Sequence, residues 1–236
     1  MTTGPQGFSE RTNAIDAELA DQGRRVLDMV TRAFDALYAR DTAAARAVEA
    51  LDDAVDEVDL EIEQKAVALL ADACRNTLEL GDSDLRTVLT IVKINNELER
   101  TADAASAVAE RVPGIVRAGI TLPDAFRVMS NSVIGIVRDA CAAHERRDVA
   151  LARLVLRAED TVYAFKAEMI KELESHVSDG RLAYTDAAML QELAGLCQRV
   201  ADYCTNMVEQ VIYANSGSIV RHTDAGWIDV SPSSGS

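Results

Sequence analysis

Apolar residues recur every three to four positions along almost the whole chain, which is the spacing of one face of an α-helix. Ile91, Ile94, Leu98, Ala102, Ala105, Ala109 and Val112 fall on one such stripe, and Leu190, Leu193, Cys197, Ala201, Cys204, Val208 and Val211 on another. Gly81-Asp82-Ser83-Asp84, Pro113-Gly114 and Ser178-Asp179-Gly180 break the periodicity, because glycine and proline end helices. The pattern predicts six long helices near residues 10–38, 42–78, 83–112, 121–145, 148–177 and 183–215. Residues 1–8 read as a frayed end, and the Ser/Gly/Pro-rich stretch 224–236 as a disordered tail in which Trp227 alone is suited to docking on a neighbour.

The two halves repeat. Glu99, Asp103, Glu110 and Val112 align with Gln198, Asp202, Glu209 and Val211 at one constant offset. Arg40-Asp41, Asp52-Asp53 and Val55 align with Arg147-Asp148, Glu159-Asp160 and Val162 at a slightly different one, the difference being absorbed by a loop. Single helices cannot bury their own apolar stripes, so each repeat is expected to close as a three-helix bundle. The expected architecture is all-α, two tandem three-helix bundles over 1–116 and 117–223, packed together or joined end to end.

Composition sharpens this picture. Four prolines and 4% aromatic residues, beside abundant Ala, Leu, Val, Glu, Asp and Arg, disfavour an all-β fold. The formal charge of −15 repels phosphate backbones, so neither nucleic acid nor an anionic membrane is an expected partner. No basic-then-apolar leader or bilayer-length apolar run stands in the sequence, and a cytoplasmic location is expected. Cys74, Cys141, Cys197 and Cys204 lack C-x-x-C spacing and read as reduced core residues.

On the third helix the acids Glu99 and Asp103 belong neither to the core stripe nor to the face of Lys93, Glu97, Arg100 and Arg111, which reads as well solvated. They lie on an intermediate stripe with Asn96, Ser106 and Glu110, and the last helix repeats it with Gln198, Asp202, Asn206 and Glu209. Carboxylates one turn apart repel unless a cation or basic group lies between them, and their hard oxygens suit Mg, Mn, Ca or iron. Asp52, Asp56, Asp59 and Glu63 fall within one narrow arc of the second helix, as further ligands or as a solvated acidic face.

The segments Asn96-Glu97-Leu98-Glu99-Arg100-Thr101-Ala102-Asp103 and Gln198-Arg199-Val200-Ala201-Asp202-Tyr203-Cys204-Thr205-Asn206 resemble the twin acid-x-x-x-Asp signature of the PhoU family. The resemblance covers nearly the whole chain, including the helix around Asp52 to Asp59, its counterpart from Glu159 to Val162, and the closing Tyr213 to Arg221-His222. It implies pseudo-symmetric bundles, a homodimer, and metal (iron, manganese, magnesium or zinc) at the acidic motifs in some members. It also implies negative regulation of phosphate uptake and starvation signalling, through a phosphate-specific ABC transporter and its ATPase subunit and a phosphate-sensing histidine kinase. Carried over, the first metal site uses Glu99 and Asp103 with Asp52, Asp56 or Asp59. The second departs from the pattern, with Gln198 beside Asp202 and Tyr163 where an aspartate matching Asp56 belongs, and is expected to be weak or empty.

Two rivals stand beside this reading. A ferritin-like oxidase would use Glu-x-x-His motifs, and none occurs with His144, His176 or His222; His144 and His176 read as surface or helix-end residues. A helical adaptor that works without metal keeps the regulatory role. No glycine-rich phosphate loop or nucleophile motif points to catalysis.

Overall fold

The computed structural model describes residues 4–223 and 226–230. Six helices run in chain order: α1 Pro5–Ala39, α2 Thr42–Arg75, α3 Asp82–Ala118, α4 Asp124–Arg146, α5 Val149–Ser178 and α6 Tyr184–Ser216. The chain is all-α in its body, and α1–α3 and α4–α6 each form a three-helix bundle.

The turn between α1 and α2 is repeated between α4 and α5. Arg40 and Arg147 sit in the left-handed region at φ 55° and 52°. In each case the next amide reaches back around the helix end, Asp41 N to Ala36 O at 3.0 Å and Asp148 N to Ala143 O at 2.9 Å. The following aspartate then caps the new helix: Asp41 accepts from Ala43 N and Ala44 N, and Asp148 from Leu151 N. The duplication therefore extends to backbone conformation.

The bundles pack side by side, not end to end. The most extensive contact between helices is α3 against α6, and α1 also meets α4. Helices α1, α3, α6 and α4 thus close a central ring, with α2 touching only α1 and α3, and α5 only α4 and α6. Small residues bring the inner helices close. Gly23 of α1 leaves room for Cys141 of α4, whose Sγ would stand 3.1 Å from a Cβ at that position. Across the same seam His144, only 9% exposed, contacts Asp16 Oδ1 through Nε2 at 3.0 Å, and Arg147 reaches Asp16 Oδ2 at 3.3 Å. His144 is thus a helix-end residue, as expected, but a buried one.

Several expectations are corrected. Helix α3 runs through Pro113 to Ala118 and stops at Gly119 (φ 67°). A proline inside a helix costs about 3 kcal/mol, but the extra turn carries Ile115 into the core at 1% exposure. After α6, strands β1 Ile219–Thr223 and β2 Gly226–Val230 form an antiparallel hairpin, Ile219 opposite Val230 and Thr223 opposite Gly226. The stretch from 224 is therefore not disordered at Gly226–Val230; residues 224–225, 231–236 and the Trp227 side chain lie outside what the structure describes. At the other end, α1 begins at Pro5, within the stretch expected to fray. All four cysteines are free, and Cys197 and Cys204 are core residues, but Cys74 is exposed in the last turn of α2.

The α3 face carrying Lys93, Glu97, Arg100 and Arg111 is not simply solvated: it meets α6. Glu97, with its side chain 14% exposed, accepts from Asn206 Nδ2 at 3.3 Å. The Arg100 guanidinium lies 4.2 Å from the Tyr203 ring centroid, and Arg111 pairs with Glu192 at 2.7 Å. One bundle's polar face is the other's partner.

Candidate functional site

Helices α2 and α3 run antiparallel, and their register is held by Asn95, whose Nδ2 donates to Asp59 O at 2.9 Å and to Asp59 Oδ1 at 2.6 Å. This register brings the acidic arc of α2 alongside Glu99 and Asp103 of α3. The Glu99 carboxyl is pushed up to about 7, first by burial and then by the charges of Asp103, Asp59, Asp56 and Asp52. Asp103, exposed, is raised by partial burial and by Asp56. Asp52 is raised by burial and by Asp103, Asp56 and Asp53, against an opposing effect of Ser106; Asp59 is raised by burial, Glu63 and Asp56, against Asn95. Glu99 thus senses the charges of all four aspartates. Carboxylates this crowded attract a proton or a cation.

Two further features belong to this cluster. Asp52 Oδ1 and Ser106 Oγ are both buried without a hydrogen-bond partner of good geometry, although Ser106 lies near enough to lower the Asp52 carboxyl. Yet among the described residues no three His, Cys, Asp or Glu side chains converge as a ready-made metal cage. The first bundle therefore fits the expected divalent ion in its hard-oxygen donors and its unsatisfied Asp52 oxygen, while a full ligand set requires carboxylates to turn toward one another.

The second bundle places its counterparts on α5 and α6, and the outcome is different. Gln198 Oε1 accepts from Lys166 Nζ at 2.6 Å, and Asp202 Oδ1 accepts from the Tyr163 hydroxyl at 3.0 Å. Thr205 Oγ1 donates to Glu159 Oε1 at 3.1 Å and to Asp202 O at 2.8 Å. The Glu159 carboxyl is pushed up to about 7, chiefly by burial, which outweighs Thr205, with Asp202 and Asp160 adding to it. Asp202 is raised by burial, opposed by the Tyr163 and Glu159 contacts and by the Lys166 charge. Here the predicted residues Gln198 and Asp202 already have protein partners and a lysine ammonium lies between the helices, so although Glu159 Oε2 is without a partner the group fits a divalent ion poorly. Lys166 and Thr205 were not candidates on sequence grounds.

A mixed-charge groove follows α3 and α6 up to the hairpin, lined by Glu63, Lys93, Glu97, Asn206, Glu209 and Arg221. Arg221 of β1 is ion-paired to Glu209. This pair ties β1 to the end of α6.

Comparison with known proteins places these sites in context. The PhoU domain matches twice, over residues 19–112 and 126–211. The phosphate-specific transport system accessory protein PhoU homolog 1 of Thermotoga maritima is 28% identical over 216 residues, covering 91% of each chain. The corresponding homolog of Pseudomonas aeruginosa is 28% identical over 220 residues, covering 92% of this chain and 88% of that one. Among solved structures, PhoU from Pseudomonas aeruginosa superposes with a TM-score of 0.82 at 27% identity, covering 89% of this chain and 99% of that one. The phosphate transport system regulatory protein PhoU from Streptococcus pneumoniae gives 0.83 at 21% identity, covering 91% and 99%.

Proposed function

The chain belongs to the PhoU family, and from that premise we propose that it is a negative regulator of phosphate uptake and of phosphate-starvation signalling. It acts through protein contacts with a phosphate-specific ABC transporter, at the ATPase subunit, and with a phosphate-sensing histidine kinase, as a homodimer in the cytoplasm. The observation that carries this reading is the duplicated acid-bearing helix, α3 and α6, inside a chain whose two halves each match the PhoU domain. Among the described residues no helix is long and apolar enough to cross a membrane, so contact with a transporter falls to the helical surfaces. No catalytic step belongs to this role.

In the first bundle Glu99, Asp103, Asp52, Asp56 and Asp59 are the residues that would hold a divalent ion or iron. Bound there, a cation supplies the positive charge that five crowded carboxylates lack, and so ties α2 to α3. Elemental analysis before and after mild EDTA treatment tests this part. Asp103→Ala is expected to lose most of the metal and Asp202→Ala little or none; equal loss from both would refute the asymmetry. A second reading, an adaptor that works without metal, is compatible with the acidic residues as they stand, since among the described residues no three such side chains converge. Metal-free protein that still captures its partner supports it. The regulatory role itself is tested by affinity capture from phosphate-replete cells: recovery of the transporter ATPase subunit is expected, and repeated failure to recover it removes the assignment.

A further inference from the structure

The two acidic motifs can be compared position by position, because the repeat supplies its own register. The offset that pairs Asp52 with Glu159 and Asp56 with Tyr163 also pairs Asp59 with Lys166. The offset that pairs Glu99 with Gln198 and Asp103 with Asp202 also pairs Ser106 with Thr205. Five carboxylates in the first bundle therefore become two in the second, and one of the vanished acids is replaced by a base.

The base stands where it is needed. Lys166 Nζ, on half-buried Lys166 of α5, donates to Gln198 Oε1 of α6 at 2.6 Å, a charge-assisted bond at the position matching Glu99. An ammonium only donates, so this contact requires the Gln198 carbonyl oxygen, the atom that would otherwise ligate a cation. Tyr163 closes the adjacent Asp202 oxygen at 3.0 Å, and Thr205 closes one oxygen of Glu159 at 3.1 Å. In the first bundle Asp52 Oδ1 and Ser106 Oγ have no partner, whereas in the second Thr205 engages Glu159 Oε1 and only Glu159 Oε2 is left without one.

We infer that the ammonium of Lys166 is the resident cation of the second acidic motif, so that this half of the molecule carries its own cation, hydrogen-bonded between α5 and α6, and takes up no divalent ion. Substitution of Asp56, Asp59 and Glu99 by Tyr163, Lys166 and Gln198 acts as one coupled change. Removing carboxylates weakens cation binding, and adding a tethered ammonium fills the charge deficit that remains. A lysine is always present, so the α5–α6 contact is independent of metal supply, whereas any metal-dependent behaviour is confined to α2 and α3. The inference deepens the metal reading of the first bundle but does not need it: the second motif is judged on its own variants.

The test uses the full chain with the first motif neutralised by Glu99→Gln and Asp103→Asn, titrated with Mn²⁺ and followed by the EPR signal of the free ion. No specific Mn²⁺ uptake is expected. Adding Tyr163→Asp, Lys166→Asp and Gln198→Glu should create a binding site, and a folded variant that gains none counts against the inference. Uptake by the neutralised chain that disappears with Asp202→Asn would overturn it, because the motif would then hold an ion despite Lys166. Lys166→Met, melted in EDTA, should lower Tm by about 2–6 °C with no recovery on adding Mn²⁺; an unchanged Tm also overturns it. If the unmodified chain binds no Mn²⁺, the first-bundle reading fails, while the Lys166 arms are still decided by their own results.

Discussion

At the scale of single residues, the chemistry follows from which polar atoms have partners. Asp16 is the clearest case outside the acidic motifs. Burial pushes its carboxyl up, but the hydrogen bonds and charges of His144 and Arg147 outweigh burial and leave it below its ordinary value of 3.8. A carboxylate depressed on folding contributes stability that is present above its unfolded value and is lost as pH falls through the folded one. Acid titration below about pH 4 should therefore loosen the seam between α1 and α4. Asp16→Asn is expected to destabilise the protein by about 2 kcal/mol at neutral pH and to flatten the acid limb of its stability profile; chemical denaturation across pH 2–7 checks both. The acids Glu99, Asp103, Asp52, Asp56 and Asp59 were legible in the sequence because helical periodicity alone fixes who shares an arc. Lys166 was not, since a lone lysine on an amphipathic helix looks like any solvated base until its register with Asp59 is drawn. Glu97 misled for a related reason: a helical wheel separates apolar from polar faces, but it does not distinguish water from a second bundle.

At the scale of elements, the helices were legible and their ends less so. The left-handed arginines at 40 and 147 and the caps at Asp41 and Asp148 mark the ends of α1 and α4, and the periodicity predicts those ends at 38 and 145, one residue short of Ala39 and Arg146. Pro113 failed as a stop because proline's cost is local, whereas the gain from burying Ile115 comes from the rest of the fold. The β-hairpin was hidden because its strands are five residues each and lie in a stretch rich in turn formers. The seam between α1 and α4 makes a sharper prediction. At Gly23 the approach of Cys141 leaves little room for a side chain, so Gly23→Val should destabilise by about 1–3 kcal/mol by overpacking. The companion substitution Cys141→Ala should recover part of that loss, and a double-mutant cycle by urea denaturation reads the coupling. A purely additive cycle would show that the two helices are free to shift apart.

At the scale of the whole molecule, the duplication produced two units of one architecture and different chemistry. The family assignment was within reach of the sequence because both signatures survive in order. The side-by-side arrangement was not, since it depends on the polar partners between α3 and α6, such as Arg111 with Glu192 and Asn206 with Glu97, which periodicity does not reveal. The formal charge of −15 is spread over a surface on which most of the observed ion pairs are exposed, so salt should alter partner capture more than stability.

The closed circuit of α1, α3, α6 and α4 bears on how such a protein can be divided. A circuit has no spare boundary: cutting the chain after Gly119 strips α3 of α6 and α1 of α4, uncovering Glu97 and the Gly23–Cys141 seam that are shielded in the intact molecule. Neither fragment is then expected to persist alone as a monomer. Co-expressed, they should find each other and rebuild the parent, making the junction between the halves a natural place for a split-protein reporter.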